Sequence, residues 1–310
     1  MVQLFPLLFI SARPIQWLKN SVLLTGLIFS GWLFIPEKFI RALGAVIIFS
    51  VLTGAVYIFN DIFDLQKDRL HPLKKKRPLA SGKLPLPYAL FTAIAALFTG
   101  LFLAVNLSFF FFSICLAYII LHLFYNLFLK NTPILDVLTL ASGFILRVYA
   151  GAVVIDAHIN IWLLLCVISF SLFLAVGKRR SELTLLNNKN LAKTRKVLFS
   201  YPEKLLDLYI SMFANTTWLT YAWFAFIYPI KQPPDRLVTL WAEIPKTFRS
   251  QKWLMLTVPV VIYGVMRYLQ LIYQKNEGES PAKVLVSDRP LLTTVILWGV
   301  LVVGIIYGLG

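Results

Sequence analysis

The stretch WLLLCVISFSLFLAVG, residues 162–177, carries no charged side chain. Its two serines, Ser169 and Ser171, do not form the polar stripe of a surface helix. The run LWGVLVVGIIYGLG, residues 297–310, reads the same way. A soluble core would need apolar segments that alternate with polar faces at helical spacing, and these runs have no such alternation. Segments of roughly 20 apolar residues, the length that crosses a hydrocarbon core, recur along the 310-residue chain. The fold class implied is all-α, a polytopic membrane protein.

Outward from that stretch, the sequence predicts about nine spans, near 15–35, 39–59, 86–105, 108–129, 134–154, 160–177, 206–229, 253–274 and 290–309, in a single domain covering 1–310. Counted on alternate sides, about 22 Lys and Arg fall with the N-terminus and loops 60–85, 130–133, 178–205 and 275–289, against about 7 opposite. The positive-inside bias places that side, N-terminus included, in the cytoplasm, and the chain in the cell membrane. The formal net charge of +16 is largely this bias, and no soluble nucleic-acid-binding module is visible. An anionic lipid or substrate is the partner it implies. No small-residue cleavage site follows the first apolar segment, which reads as a retained helix. Cys115 and Cys166 sit inside apolar segments and read as packing residues. The outer loop near 230–252, with Pro233, Pro234, Trp241 and Trp253, is expected to carry no chemistry.

Against this background YIFNDIFDLQKDRLHPLKKKRPLASGKL, residues 57–84, gathers three aspartates, a histidine and seven Lys/Arg in a chain only 14% charged. Asp61, Asp64 and Asp68 are spaced i, i+3, i+7, and on a helix they share one face with Asn60. Like charges on one stripe repel, and a hard cation such as Mg²⁺ compensates oxygen-rich side chains well. A solvated helix end is the plainer alternative. The acids, however, begin directly after the apolar AVYIF, at the mouth of the membrane, which favours the metal. His71, Lys74, Lys75, Lys76, Arg77 and Lys83 follow among the helix-breaking Pro72, Pro78 and Pro85. Cations on a fixed loop beside a metal suit a phosphate-rich ligand; a basic loop that touches anionic head groups is the other reading.

The pattern NDIFDLQKDRLHPLKKKRPLASG resembles the UbiA superfamily of intramembrane prenyltransferases, whose first aspartate-rich motif, NDxxDxxxD, is matched by Asn60, Asp61, Asp64 and Asp68. HPLKKKRPLASG, YNLFLKNTPILDVLTLASGFILRVYAGA at 125–152, GKRRSEL at 177–183 and GESPAKVLVSDRPLL at 278–292 resemble its phosphoribosyltransferase branch, over nearly the whole chain. The resemblance implies helices around a central cavity open to the cytoplasm and the bilayer. It further implies Mg²⁺, phosphoribosyl pyrophosphate as donor and a polyprenyl phosphate as acceptor. In that reading Asn60, Asp61, Asp64 and Asp68 hold the metal, and Lys74, Arg77 and Lys130 hold the phosphates. His71, Asn126, Asp136, Arg147, Lys178, Arg179, Glu182, Asp288 and Arg289 are further substrate-binding candidates.

Prenyl-transferring members usually carry a second aspartate-rich motif; here only Asp136 stands in its place, with Leu140 four residues on. The same segment offers Lys130 before it and Arg147 within it. Asp136 and Arg147 are eleven residues apart, about 20° from coincident on a helix of 3.6 residues per turn, so both can face one cavity. An arginine this deep either pairs with an acid or reaches a ligand anion. Lys178 and Glu182 are an i,i+4 pair that could be structural, and Lys178 and Arg179 also read as positive-inside anchors. Asp288 and Arg289 read as a salt bridge or as a donor-binding pair.

Two other functions fit parts of this pattern. Prenyl transfer from a polyprenyl diphosphate to an aromatic acceptor would use the same first motif, and the single Asp136 with the added cations argues against it. A transporter of phosphorylated lipid or sugar has little use for an aspartate stripe among anionic ligands unless metal is bound. The run FFFFSICL, residues 109–116, reads as a surface for an isoprenoid tail or for the bilayer.

Overall fold

The computed structural model describes residues 4–70, 74–186, 200–229, 252–275 and 280–308. Among these the chain is helical, with no strand. In order come α1 (Leu4–Ser11), α2 (Pro14–Trp17), a 3₁₀ segment (Leu18–Leu24), α3 (Thr25–Phe29), α4 (Pro36–Phe63), α5 (Leu65–Leu70), α6 (Leu86–Leu107) and α7 (Phe109–Leu127). They are followed by α8 (Leu135–Ile155), α9 (Ile161–Leu186), α10 (Glu203–Ile227), α11 (Val258–Lys275), α12 (Pro281–Ser287) and α13 (Arg289–Gly308).

Seven helical segments among the described residues are long and apolar enough to cross a membrane: Pro36–Phe63, Leu86–Leu107, Phe109–Leu127, Leu135–Ile155, Ile161–Thr184, Trp253–Gln274 and Arg289–Gly308. Two of the nine predicted spans differ. Helix α10 has the length, 25 residues, but NTTWLTY at its middle dilutes its apolar character. The span expected at 15–35 is broken into α2, the 3₁₀ segment and α3. The cause is tertiary: Leu23 lies so close to α8 that a Cβ on Gly151 would come within 1.8 Å of its carbonyl oxygen. Irregular backbone at membrane depth persists where protein, not lipid, surrounds it. Leu23 and Leu27 are fully buried here. The outer loop near 230–252 lies outside the described residues up to its last position.

Helix α8 is the hub. Its N-terminal half, through Val137 and Ala141, packs with Phe173, Val176, Leu206, Ile210, Tyr268 and Leu271 of α9, α10 and α11. Its C-terminal half, through Ala150, Val154 and Ile155, packs with Leu23, Leu27, Phe49, Leu52 and Tyr118. Outer helices turn apolar side chains outward: Phe91, Phe98 and Phe102 of α6 are at least 70% exposed. That surface is unfavourable in water and matched in lipid. The phenylalanine run divides, with Phe109 and Phe110 exposed and Phe111 buried. Cys115 and Cys166 are free thiols, the first buried and the second half-buried.

Candidate functional site

Helix α4 ends just inside the aspartate motif. Asp64 leaves the helical region, at φ −94° and ψ 7°, and α5 starts at Leu65. Two backbone bonds carry the chain across the break, from the Asp64 N–H to the Asn60 carbonyl and from the Asp68 N–H to the Asp64 carbonyl. The acids expected on one helical face are thereby parted. Asp61 and Asp68, both buried, converge on Arg77, whose Nη1 lies 3.0 Å from Asp61 Oδ1 and 2.5 Å from Asp68 Oδ2. Asp64 turns to Lys130, with Nζ 2.8 Å from its Oδ1.

The loop holding Arg77 is tied down by apolar contacts. Leu79 and Leu84 pack on Ile58, Ala89 and Ala93. The turn closes through bonds from Ser81 N–H to the Arg77 carbonyl and from Leu84 N–H to the Pro78 carbonyl. Gly82 takes φ +76°, a conformation natural to glycine. Lys75, Lys76 and Lys83 stay exposed, and Lys74 is half-buried. His71 and Pro72 lie outside the described residues.

Arg13, which the sequence gave no reason to single out, pairs with Asp61 and stacks 4.9 Å over the Tyr57 ring. It adopts φ +54°, uncommon for a side-chain-bearing residue, at the N-cap of α2. Nearby, Gln16 Nε2 donates to Ser280 Oγ at 2.9 Å, which draws the start of α12 to the same end of the bundle.

The second constellation surrounds Asp136, which is fully buried. Arg179 Nε donates to its Oδ2 at 2.6 Å, and Tyr201 Oη donates to its Oδ1 at 2.7 Å. Arg179 also reaches Glu182 Oε2 at 2.7 Å and Tyr125 Oη at 3.2 Å. Tyr201 Oη in turn accepts the N–H of Ile134, a β-branched residue held at φ +69°. Burial, and then the bond to Asp136, pushes the Tyr201 phenol up to about 12, so the hydroxyl remains protonated at neutral pH. Lys178 stands 3.9 Å from Glu182, the expected i,i+4 pair.

Asp136 and Arg147 do not pair with each other and engage different partners. Arg147, also buried, donates to Asn20 Oδ1 at 2.9 Å, to Tyr118 Oη at 2.8 Å and to the Gly143 carbonyl at 2.7 Å. On the same face of α7, Asn126 Oδ1 and His122 Nε2 are buried without a hydrogen-bond partner. Asp288 does not bridge to Arg289 as expected. Arg267 of α11 holds it through both oxygens, at 3.1 and 2.7 Å, and its Oδ1 accepts the Leu291 N–H at the start of α13. Arg289 is exposed. Adjacent residues at a helix start point apart, which explains why the neighbour in sequence is not the partner.

For a divalent cation, the donors are hard oxygens of the right kind, and two carboxylates already converge on one cationic nitrogen. No three His, Cys, Asp or Glu side chains among the described residues form a metal-ready group. Magnesium is commonly held by one or two carboxylates plus substrate phosphates, so the pair Asp61 and Asp68, with Asn60 and Asp64 adjacent, fits it.

The UbiA prenyltransferase family matches residues 21–287. Decaprenyl-phosphate phosphoribosyltransferase of Corynebacterium glutamicum is 31% identical over 305 residues, covering 95% of this chain and 85% of the relative. The protein of that name from Mycolicibacterium smegmatis is 30% identical over 296 residues, covering 93% and 88%. In fold, a UbiA homolog from Archaeoglobus fulgidus bound to GPP and Mg²⁺ superposes with TM-score 0.65 at 19% identity, over 95% of this chain and 97% of its own. The same homolog bound to Cd²⁺ gives 0.61. The match over most of the chain, on a bundle with acids at the end of α4, assigns the chain to the UbiA prenyltransferase family, in the branch of the decaprenyl-phosphate phosphoribosyltransferases.

Proposed function

We propose that this protein transfers 5-phosphoribose from phosphoribosyl pyrophosphate to a polyprenyl phosphate and releases pyrophosphate, at the cytoplasmic face of the cell membrane. The observation that carries this reading is the ion-pair network of Asp61, Asp68 and Arg77 beside the Asp64–Lys130 pair. The activity named for the relatives supports it. The N-terminus and the loops 60–85 and 178–205 would lie on the cytoplasmic side with the site.

Asn60, Asp61, Asp64 and Asp68 would hold Mg²⁺, which when bound supplies charge neutralisation at the pyrophosphate leaving group. Arg77 and Lys130 would exchange their carboxylate partners for phosphate oxygens, and His71 and Lys74 would add further phosphate contacts. The acceptor phosphate is already anionic at neutral pH and needs no strong general base. Its oxygen forms a bond to C1 of the ribose while the C1–oxygen bond to pyrophosphate breaks and the electron pair leaves with the pyrophosphate. Arg179, Glu182 and Lys178 would position α9 beside the site through Asp136. Asp136 spends both carboxylate oxygens on Arg179 and Tyr201. This disfavours prenyl-diphosphate chemistry that relies on a second acidic motif.

The test is incubation of purified protein in detergent with Mg²⁺, a polyprenyl phosphate and ribose-labelled phosphoribosyl pyrophosphate, with and without EDTA. EDTA-sensitive label in the organic phase is expected. Prenylation of an aromatic acceptor from a prenyl diphosphate, with no labelled lipid, would replace this reading with the other chemistry of the family.

A further inference from the structure

We infer that the Tyr201 hydroxyl is a positioning group: it holds a strained turn at Ile134, and through that turn it sets Lys130 against the pyrophosphate of the donor. The inference rests on the phosphoribosyl-transfer reading for what Lys130 grips. It adds a residue from the connection between α9 and α10 that acts without touching substrate.

Ile134, the last residue before α8, has φ +69° and ψ −49°. These values lie near the strained form of the γ-turn, at about +75° and −65°, in which the two flanking residues are joined by a hydrogen bond. That bond is present, from the Leu135 N–H to the Pro133 carbonyl at 2.8 Å. Such a backbone persists only where its surroundings over-determine it. The Ile134 side chain does not supply the constraint, because it is 53% exposed, and its β-branch makes a positive φ still less favourable.

The constraint comes from Tyr201. Its Oη accepts the Ile134 N–H at 2.5 Å and donates to Asp136 Oδ1 at 2.7 Å. The direction of the two bonds is fixed: the carboxylate accepts, so the hydroxyl proton points to Asp136 and the lone pairs face the amide. Asp136 is anchored in turn by Arg179 on its other oxygen. The Tyr201 ring is buried in the core with Val137 and Leu206, which makes it a rigid post.

Lys130 hangs on the same turn. The Thr132 N–H bonds to the Leu129 carbonyl at 3.1 Å, across Lys130, and the Thr132 carbonyl accepts the Asp136 N–H at 3.1 Å. Residues 132–134 thus join the 3₁₀ turn at Leu129–Asn131 to α8, and Ile134 decides the angle between them. With Ile134 in ordinary helical or extended backbone, the chain would enter α8 in another direction. Lys130 would then leave Asp64, where its Nζ now lies 2.8 Å from Oδ1. Lys130 is itself buried, which leaves the side chain little freedom to correct a displaced backbone. Asp64 belongs to the proposed metal-binding motif, so a pyrophosphate oxygen bridging to that metal comes within reach of the same nitrogen.

Tyr201→Phe removes the hydroxyl and keeps the ring with its packing. Calorimetric titration of the detergent-purified protein with pyrophosphate in Mg²⁺ reads the site without turnover, in the native chain, Tyr201→Phe, Lys130→Gln and the double variant. Lys130→Gln should raise the Kd about tenfold, the loss of one charge-assisted contact. Tyr201→Phe should raise it about fivefold as the turn relaxes. Because Tyr201 acts through Lys130, the double variant should bind no more weakly than Lys130→Gln alone. A merely structural hydroxyl would lower the Tm and leave the Kd of the folded protein alone. An unchanged Kd in either single variant, effects that multiply to about fiftyfold in the double variant, or no binding by the native chain overturns the inference. Pyrophosphate is common to phosphoribosyl and prenyl donors. The expected binding pattern without any phosphoribosyl transfer would therefore sink the proposed activity and leave the positioning role standing.

Discussion

Asp61 and Asp68, seven residues apart in sequence, meet on a single nitrogen of Arg77, 3.0 Å from one and 2.5 Å from the other. A continuous helix would set such residues about two turns, or 10 Å, apart along its axis. The break at Asp64 lets α5 fold so that the two carboxylates can share one cation. A guanidinium that bridges two acids occupies the kind of position a divalent cation takes, and it makes the cluster ready to exchange one cation for another.

Neutralising an acid there should abolish chemistry and spare the fold. Asp61→Asn and Asp68→Asn are each expected to lower phosphoribosyl transfer on the order of a hundredfold or more. Asp64→Asn should lose most activity in Mg²⁺. Near-normal turnover of Asp64→Asn in a labelled-donor assay would refute its role as a metal ligand.

The Asp136–Arg179 pair is completely buried. Asp136→Asn leaves the Arg179 charge with Glu182 alone, and about 3–5 kcal/mol of stability should be lost. Denaturant unfolding in detergent measures it. If the pair couples as drawn, Asp136→Asn with Arg179→Gln should cost less than the two single changes added together.

Gly151 and Gly44 give opposite outcomes for one substitution. A Cβ at Gly151 would strike the Leu23 carbonyl, which is backbone and cannot swing aside, so Gly151→Ala should destabilise by about 3 kcal/mol or more. Gly44 has nothing within 4 Å, and in helix α4 its replacement by alanine should stabilise by about 0.5–1 kcal/mol. Equal melting temperatures for the two variants would contradict the close approach.

Asp288→Ala removes both the cap of α13 and the clasp to Arg267. Loss of the cap alone is worth about 1 kcal/mol. Arg289→Ala, at an exposed position, should change the melting temperature by much less. A larger effect at Arg289 would restore the pairing that sequence adjacency suggested.

An in-line displacement at C1 inverts the anomeric configuration of the donor. NMR of the product sugar should show the inverted anomer; a retained configuration points to a covalent or two-step route.

The helical, membrane-spanning class and the clustering of aspartates with basic residues were legible because they are local. Apolar length needs no knowledge of neighbours, and NDxxDxxxD lies within nine consecutive residues, 60–68. Pairings across the fold were not legible. Helical arithmetic alone aligned Asp136 with Arg147, yet Asp136 found Arg179 from α9 and Tyr201 from beyond it, while Arg147 found Asn20 and Tyr118. Tyr201 and Arg13 carried no local signal that could have marked them. The nearest hint for Arg13 was its place before Pro14, at the start of a helix.

By itself the sequence determined which segments leave water, because hydrophobic transfer sums over residues in a window. It also placed acids and cations together at one membrane face. The tertiary structure decided which acid meets which cation, and it broke the first expected span where Leu23 presses on Gly151. Those outcomes depend on close packing and on charges choosing among several partners at short range, and neither is a property of any one stretch of chain.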